Sequence, residues 1–474
     1  MKDHAPGIER AFARPPEEVS DAPCRVKGRL PDYVRGTYYI NGPARFERGG
    51  VRYGHWLDGD GMVCALRFGG GRVSLTSRFV RSEKFKAEEE AGRPVFRAFG
   101  TAFEADALKR RVALESPVNV SVYTYGDSLL AFGEQGMPYA LDPLSLETLG
   151  EFNFGGSLND VSPFAAHPKI DPATGGLFNF GVAFSETAPT LNLYRFGPRS
   201  ELLYRGRLPL ERACSIHDFG LSESYAVFYL SPYVLDMKRF VAEGRSLMDS
   251  LRWERGRASR LLVVARETGE RLASIAVGTR YCLHFVNCFE REGLLYVDLI
   301  ELERPIYDQY QTVPNLFTDV CEGAPVRYVL DMRKQEPAAR EEIGYRLAPD
   351  FPSIDPRLAA RRYDDFWMLG ISATGKRGRK FFDQLVHASW SRADAPDVYG
   401  APEMHYLCGE PIFVGDPSDE RAGVLVCQSF DAREGTSSFL VFDAKRVAAG
   451  PIARVLPGAP VHFGFHASFR RGEA

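Results

Sequence analysis

Apolar and polar positions alternate along much of this chain, in segments of strand length joined by short turns rich in Asp, Gly or Pro. Alternation with a period of two predicts half-buried strands, and the intervening turns join them into hairpins. Such hairpins begin at Met62, Tyr139, Leu191, Leu261, Arg327 and Phe439, with a weaker one at Phe382. Long helical periodicity is rare. We therefore predict an all-β fold.

The hairpins recur about every 63 residues on average, against the roughly 40 to 50 residues of standard propeller blades. Regular recurrence of a hairpin-containing unit is typical of a β-propeller, in which the blades surround a central channel. Hairpins also occur in other β-rich proteins, so the pattern alone leaves other β folds open. The surplus length predicts long loops that cap one face. The segment 233–254 is the clearest amphipathic or helical insertion, suited to a surface helix, a tunnel wall or a membrane contact.

Composition and charge narrow the function classes only slightly. The hydrophobic share of 45% and charged share of 26% are ordinary for a globular protein, and a net charge of -3 argues against nucleic-acid binding. The first residues lack the apolar core of a signal peptide, and no run of 18 or more apolar residues occurs. We expect a cytoplasmic protein whose eight scattered cysteines are free thiols.

Four histidines in separate motifs are the candidate metal ligands. They are His167 in AHPKIDPATGG, His217 in SIHDFGLSESY, His284 in YCLHFVNCFE and His466 in VHFGFHASF. Their separation excludes a zinc finger or a helical HExxH site, and suits a fold in which repeated units each bring one residue to a common axis. An all-imidazole set is compatible with zinc, copper, nickel or ferrous iron. His462 is an alternative to His466, and the GFH context favours His466.

These motifs, with YINGPARF (39–46) and GHWLDGDGMV (54–63), resemble those of the carotenoid cleavage oxygenase family. That family includes carotenoid and apocarotenoid dioxygenases, stilbene-cleaving dioxygenases and the retinoid isomerohydrolase of the visual cycle. The resemblance implies a seven-bladed β-propeller with a cap of loops and short helices over an iron site. Residues 1–24 would be an N-terminal extension, and 25–474 a single propeller domain with inserted cap segments. It also implies Fe(2+) held by His167, His217, His284 and His466.

The resemblance further implies three carboxylates that accept hydrogen bonds from the ligand imidazoles. Glu134 in FGEQGMP and Glu410 in GEPIFV match two of these positions. At the third, where the family typically has Glu, this chain has Asp350 in DFPSI. Because aspartate is one methylene shorter, we expect either the backbone to approach by about 1 Å or a water to intervene.

The implied reaction is cleavage of a C=C bond of a carotenoid or apocarotenoid by a non-haem iron(II) dioxygenase, with O2 as co-substrate and two carbonyl products. Stilbene cleavers of the family carry lysine directly before the first outer carboxylate, where this chain has Gly133; this disfavours a phenolic stilbene. Val120 lies where relatives have Thr or Val near the iron. Two alternatives remain open: cleavage of a stilbene-like phenylpropanoid, and an O2-independent retinoid or polyene isomerase or ester hydrolase.

The expected partners are O2 and a lipophilic polyene, with no nucleic acid. Peripheral membrane contact and the oligomeric state are left open. A propeller that only binds a lipophilic ligand is the non-catalytic alternative.

Overall fold

A computed structural model of the chain describes residues 4–13, 16–312 and 315–472. Strands dominate it, so the prediction of an all-β propeller is confirmed. The helices are α1 (Arg10–Ala13), α2 (Glu83–Ala91) and α3 (Leu247–Ser250), with a π-helical turn at Lys238–Ala242. Single 3-10 turns lie at Trp56–Asp58, Tyr307–Gln309, Pro356–Leu358, Trp390–Arg392 and Val447–Ala449.

The strands are numbered in chain order. The first half of the chain contains β1 (Val19–Gly28), β2 (Gly36–Arg45), β3 (Glu47–Arg48), β4 (Val51–Arg52), β5 (Asp60–Gly69), β6 (Arg72–Phe79), β7 (Ser121–Tyr125), β8 (Ser128–Phe132), β9 (Tyr139–Leu141), β10 (Thr148–Glu151), β11 (Lys169–Ile170), β12 (Leu177–Ala183), β13 (Thr190–Phe196), β14 (Leu202–Pro209), β15 (Phe219–Leu221), β16 (Tyr225–Leu230) and β17 (Tyr233–Leu235). The second half contains β18 (Leu251–Trp253), β19 (Arg260–Ala265), β20 (Arg271–Ala276), β21 (Tyr281–Arg291), β22 (Leu294–Leu302), β23 (Gly323–Asp331), β24 (Glu336–Glu342), β25 (Asp350–Ser353), β26 (Asp365–Gly370), β27 (Gln384–Ser389), β28 (Asp397–Gly400), β29 (His405–Asp416), β30 (Asp419–Asp431), β31 (Thr436–Asp443), β32 (Pro451–Leu456) and β33 (Ala467–Arg471).

The hairpins expected from sequence correspond to paired strands in every case. They are the antiparallel pairs β5–β6, β9–β10, β13–β14, β19–β20, β23–β24, β27–β28 and β31–β32. Short-range pairing of this kind needs only local alternation and a turn, which is why the sequence reveals it. In the weakest case, the segment from Phe382 supplies β27, and its partner β28 lies beyond a 3-10 turn.

Within the described residues, five sheets have four strands each, and nine further strands form one larger sheet. That sheet has the order β29-β30-β31-β32-β1-β6-β5-β2-β33. The structure therefore has fewer separate sheets of four or more strands than the seven blades expected from the sequence. The physical reason is β1, which pairs with β32 on one side and with β6 on the other, so that the two ends of the chain share a sheet.

The segment 233–254 is not one helix. β17 and β18 pair as a hairpin, with Leu235 opposite Leu251, and the π-helical turn and α3 lie between them. Gly244 has φ +70, which ends the π-helical turn, and Ser246 starts α3 as its N-cap. The prediction of a helical insertion is thus correct only for two short turns.

Two further sequence expectations concern helices and cysteines. In the described part of the chain, no helix has the length and apolar character needed to cross a bilayer. All eight cysteines are free, as expected, and seven of them are buried.

Gly61 in the GDGM motif lets β5 approach the neighbouring segment closely. Its N–H donates to the Pro117 carbonyl at 2.9 Å, and a Cβ built on Gly61 would lie 2.0 Å from the Val118 carbonyl oxygen. No rotamer change can relieve a contact with backbone. This position therefore requires glycine for its lack of a side chain.

We expect Gly61→Ala to lower the free energy of unfolding by about 1–3 kcal/mol, as is typical of overpacking. Gly69→Ala on the same strand is the matched control, because its Cβ would meet no heavy atom within 4 Å. Denaturant unfolding of both variants measures the difference. Equal stability of the two variants would contradict the close-approach explanation.

Candidate metal centre

Four buried histidines from distant parts of the chain meet at one point. His167, His217, His284 and His466 each offer a ring nitrogen, and these four atoms lie within 4.8 Å of one another. The ring centroids are 4.3 Å apart for His167 and His466, and 6.4 Å apart for His217 and His466. The structure thus brings together all four histidines singled out from the sequence.

Each histidine lies at or beside the first residues of a strand at the edge of its sheet. His167 precedes β11, His217 precedes β15, His284 lies in β21, and His466 directly precedes β33. Because the edge strands of different sheets lie at equivalent places around the propeller, residues that are distant in sequence converge near its axis. Backbone bonds fix the last of them, because the His466 N–H donates to the Val120 carbonyl at 3.1 Å.

Three imidazoles are held from behind by the expected carboxylates. The Nδ1 atom of His217 is 2.9 Å from Glu134 Oε1, and that of His466 is 3.2 Å from Glu410 Oε2. A carboxylate only accepts hydrogen bonds, so each Nδ1 carries the proton and each Nε2 keeps a lone pair. Among the described residues, no carboxylate bonds to His167, whose Nε2 lies 2.8 Å from His217 Nε2.

Asp350 contacts His284 directly, with 2.5 Å between Asp350 Oδ1 and His284 Nδ1. The bridging-water alternative is therefore not what the structure shows. The pairing register shifts between Asp350 and Ser353, and Phe351 has φ +52. This local irregularity of β25 accompanies the shorter side chain, and the Phe351 N–H donates back to Asp350 Oδ1 at 2.9 Å.

The donor set fits a metal cation. His284 Nε2 is buried and has no hydrogen-bond partner, and a buried polar atom without a partner costs roughly 1–3 kcal/mol. The lone pair of His217 Nε2 is directed at His167 Nε2, 2.8 Å away, and can accept a hydrogen bond from it or bind a cation. A cation bound at this point would satisfy both features.

Burial and neighbouring charges set the protonation of the rings. Burial, followed by the three neighbouring imidazoles, holds the pKa of His167 well below its usual value. Burial also lowers the pKa of His466, although Glu410 opposes the shift. Burial disfavours protonation of His284 as well, but Asp350 outweighs it and the pKa of His284 is raised. His167 and His466 are thus held in the neutral, metal-binding form.

Two tyrosines that the sequence reading missed complete the outer layer. Tyr310 donates its hydroxyl to Asp350 Oδ2 at 2.6 Å, and Tyr307 donates to Glu134 Oε1 at 3.3 Å. Burial raises the pKa of Asp350, but His284, Tyr310 and the Phe351 N–H outweigh it, so the net shift is downward. The signal in the sequence was PIYDQY, whose two tyrosines are three residues apart, one 3-10 turn.

The GHWLDGDGM motif anchors this tyrosine turn. His55 Nε2 lies 2.8 Å from the Tyr307 carbonyl oxygen, and the Trp56 N–H donates to the Tyr310 carbonyl at 2.8 Å. The motif is therefore structural at His55 and supports the centre through Tyr307 and Tyr310.

Two cavities adjoin the histidines. A smaller one of about 280 Å³ is lined by His217, His284 and His466 together with Leu57, Val120, Leu283, Tyr307, Tyr310, Phe351 and Phe465. A larger one of about 740 Å³ shares Leu57 with it and also contacts Glu134 and Ile216, which precedes His217. The two cavities share this one lining residue, Leu57, and the histidines themselves line only the smaller of the two.

The structure also shows the surroundings of His462 and Gly133, two positions considered in the sequence analysis. His462 is buried but lies outside the cluster, with its Nδ1 3.7 Å from Cys64 Sγ. Gly133 has no room for a side chain, because a Cβ there would lie 2.0 Å from Ser116 Oγ. A lysine in this place would displace Ser116.

Comparison with known proteins agrees with this site. Residues 12–471 match the family model described as retinal pigment epithelial membrane protein. The apocarotenoid-15,15'-oxygenase of Synechocystis sp. is 29% identical, over 97% of this chain and 95% of that protein. The lignostilbene-alpha,beta-dioxygenase isozyme III of Sphingomonas paucimobilis is 26% identical, over 94% and 92%. The crystal structure of cobalt-substituted Synechocystis ACO has a TM-score of 0.88 at 25% identity, covering 99% of this chain and 100% of the other.

We expect Tyr310→Phe to lower the free energy of unfolding by about 1–3 kcal/mol, since it leaves a buried carboxylate oxygen without its donor. Tyr296→Phe is the matched control, because the described residues offer the Tyr296 hydroxyl no hydrogen bond. Chemical denaturation of both metal-free variants compares the losses. A Tyr310→Phe variant as stable as the control would show that the Asp350 contact is dispensable.

Proposed function

Because this chain belongs to the retinal pigment epithelial membrane protein family, we propose that it is a non-haem iron(II) dioxygenase that cleaves a C=C bond of a carotenoid or apocarotenoid. One O2 adds across the double bond, and each carbon leaves as a carbonyl. The observation that supports this best is the buried four-histidine cluster with carboxylates behind three of its rings. The apocarotenoid-15,15'-oxygenase similar over almost the whole chain supports the same reaction.

His167, His217, His284 and His466 are the proposed ligands of Fe(2+). Ferrous iron bound there would supply the one-electron chemistry by which O2 reacts with an alkene. Glu134, Asp350 and Glu410 orient the rings and make them more basic, as outer carboxylates commonly do. Four neutral imidazoles do not neutralise the charge of the ferrous ion. The three nearby carboxylates would compensate it. The cobalt-substituted relative is consistent with a divalent ion at such a centre.

The residues around the centre exclude water and hold the alkene. Leu57, Val120, Phe351 and Phe465 give the smaller cavity apolar walls. The hydroxyls of Tyr307 and Tyr310 are committed to carboxylates, so they are not free to donate protons to a bound substrate. A polyene has several similar double bonds, and its position in the two cavities would select one of them.

The nine-stranded sheet supports a seven-bladed propeller. Its two terminal strands, β29 and β33, contact each other, so the sheet returns on itself. β29 to β32 would form one blade, and β33, β2, β5 and β6 another, with β1 joining their outer edges. With the five separate four-stranded sheets, the blades would then number seven in a single propeller domain.

Replacing His284 by Ala should weaken iron binding by more than about 100-fold, since even outer partners of metal ligands are worth 10- to 100-fold. His405→Ala is the control, because His405 lies outside the cluster and bonds to the Glu403 carbonyl. Metal content per chain after iron loading and desalting gives the comparison. Normal iron content in His284→Ala would remove this residue from the proposed ligand set.

The reaction itself is tested with the iron-loaded protein and a panel of carotenoids, apocarotenoids and stilbenes. We expect one O2 consumed per substrate and two carbonyl products identified by mass. A product of unchanged mass without O2 uptake would instead establish isomerisation. Recovery of every substrate unchanged under air would leave only binding and contradict the proposal.

A further inference from the structure

The larger cavity has both apolar and polar side chains in its lining, and three of the polar ones lie together and are called the polar wall. Glu115, Ser116 and Gln135 lie on this wall, whereas Phe99, Leu247 and Leu251 belong to the apolar lining. Ser116 packs against the turn at residues 133–136, because a Cβ on Gly133 would meet its Oγ at 2.0 Å and one on Gly136 would meet its Cβ at 3.5 Å. The polar wall therefore adjoins Glu134, which holds His217.

Glu115 is the carboxylate of this wall with capacity to accept a ligand hydrogen bond. It is 9% exposed, and its partners in the described chain are the Lys109 ammonium at 3.1 Å and the Ser116 N–H. Burial raises the pKa of Glu115, with Lys109 opposing. A carboxylate has about four lone-pair positions, so two donors leave it incompletely satisfied.

Two other polar side chains of the lining are already committed to protein partners. Asp58 accepts from the Gly100 N–H at 2.8 Å and from the Thr101 hydroxyl at 2.6 Å. Asn119 donates to the Leu57 carbonyl at 2.8 Å and to the Gly59 carbonyl at 2.7 Å. The Gln135 amide, by contrast, forms no side-chain hydrogen bond with any described residue. Glu115 and Gln135 are thus an acceptor and a donor that remain available, whereas Glu134 Oε2, which has no hydrogen-bond partner among the described residues either, lies 2.7 Å from His217 Nδ1 and belongs to the histidine centre.

We propose that this wall binds a hydroxyl group at one end of the conjugated substrate, with the Glu115 carboxylate accepting the hydroxyl hydrogen. The proposal rests on the proposed function and narrows its substrate class. A carboxylate accepts but does not donate, so it selects a hydroxyl over a hydrocarbon or a carbonyl end group. Gln135 can donate to the oxygen of the same hydroxyl. Glu115 would then be a specificity-determining residue of the cleavage reaction.

The position of the wall gives this contact a consequence for the bond cleaved. Glu134 and Ile216, which neighbour the histidine centre, line the same cavity as Glu115. A hydroxyl fixed at Glu115 would set how far along the polyene the centre reaches. Two sources share the required chemistry: a ring-hydroxylated apocarotenoid and a hydroxylated stilbene.

The test compares matched substrate pairs that differ only by the terminal hydroxyl, in an apocarotenoid series and in a stilbene series. For the iron-loaded wild-type protein we expect kcat/KM to be about 10- to 100-fold higher for the hydroxylated member, in line with a charge-assisted hydrogen bond. The series that shows this ratio identifies the source. A ratio within about twofold in both series would overturn the proposal.

Two variants and a control assign the ratio to Glu115. Glu115→Leu should bring it close to one, and Glu115→Gln should reduce it partly, because an amide oxygen accepts a weaker hydrogen bond than a carboxylate. Glu104→Gln, an exposed carboxylate of the same segment, should leave the ratio unchanged. The ratio is taken within each variant, so partial misfolding does not affect it. An unchanged ratio in both Glu115 variants would exclude the role.

Equilibrium binding of the same pairs, followed by fluorescence quenching, separates this proposal from the reaction. Tighter binding of the hydroxylated member without any cleavage would support the polar wall and contradict the dioxygenase. Cleavage of both members with equal affinity and equal kcat/KM would support the dioxygenase and contradict the polar wall.

Discussion

The hydrogen bonds between the buried imidazoles and the carboxylates behind them are the constraint on which this structure depends. They fix three rings so that Nε2 atoms from distant strands face one point. A carboxylate in an apolar interior is unfavourable unless donors surround it. Each of the three therefore needs further protein groups: Tyr310 and the Phe351 N–H for Asp350, Tyr307 for Glu134, and the Ala467 N–H for Glu410.

This requirement links two connections that are far apart along the chain. The tyrosine donors lie on a 3-10 turn between β22 and β23, and the β4–β5 connection holds that turn through His55 and Trp56. Trp56 also stacks on Tyr310, with ring centroids 5.7 Å apart. A motif near the start of the chain thereby supports a centre whose last histidine is near its end.

The sequence was sufficient where the signal was local or carried by a family motif. Alternation predicted the hairpins because β5–β6 and its counterparts pair across short turns, and the histidine motifs identified the residues that cluster. It was insufficient where pairing or contact is long-range: nothing local in β1 indicates that it pairs with both β32 and β6. The role of Tyr310 was hidden because PIYDQY reads as an ordinary loop. Glu115 lies in no recognised motif, so nothing in the sequence indicated that it lines the larger cavity.

The three outer carboxylates differ in their exposure and in the length of their hydrogen bonds to histidine. The difference follows how closely other protein groups surround each of them. Asp350 is 2% exposed and makes the shortest bond to its histidine, whereas Glu134 is 24% exposed and lines the larger cavity. The shorter aspartate side chain can be buried and still contact His284 because the irregular β25 and Tyr310 enclose it. The His284 side of the centre is thus closed and fixed by three donors. The His217 side, where Glu134 has a single tyrosine donor at 3.3 Å, faces the larger cavity.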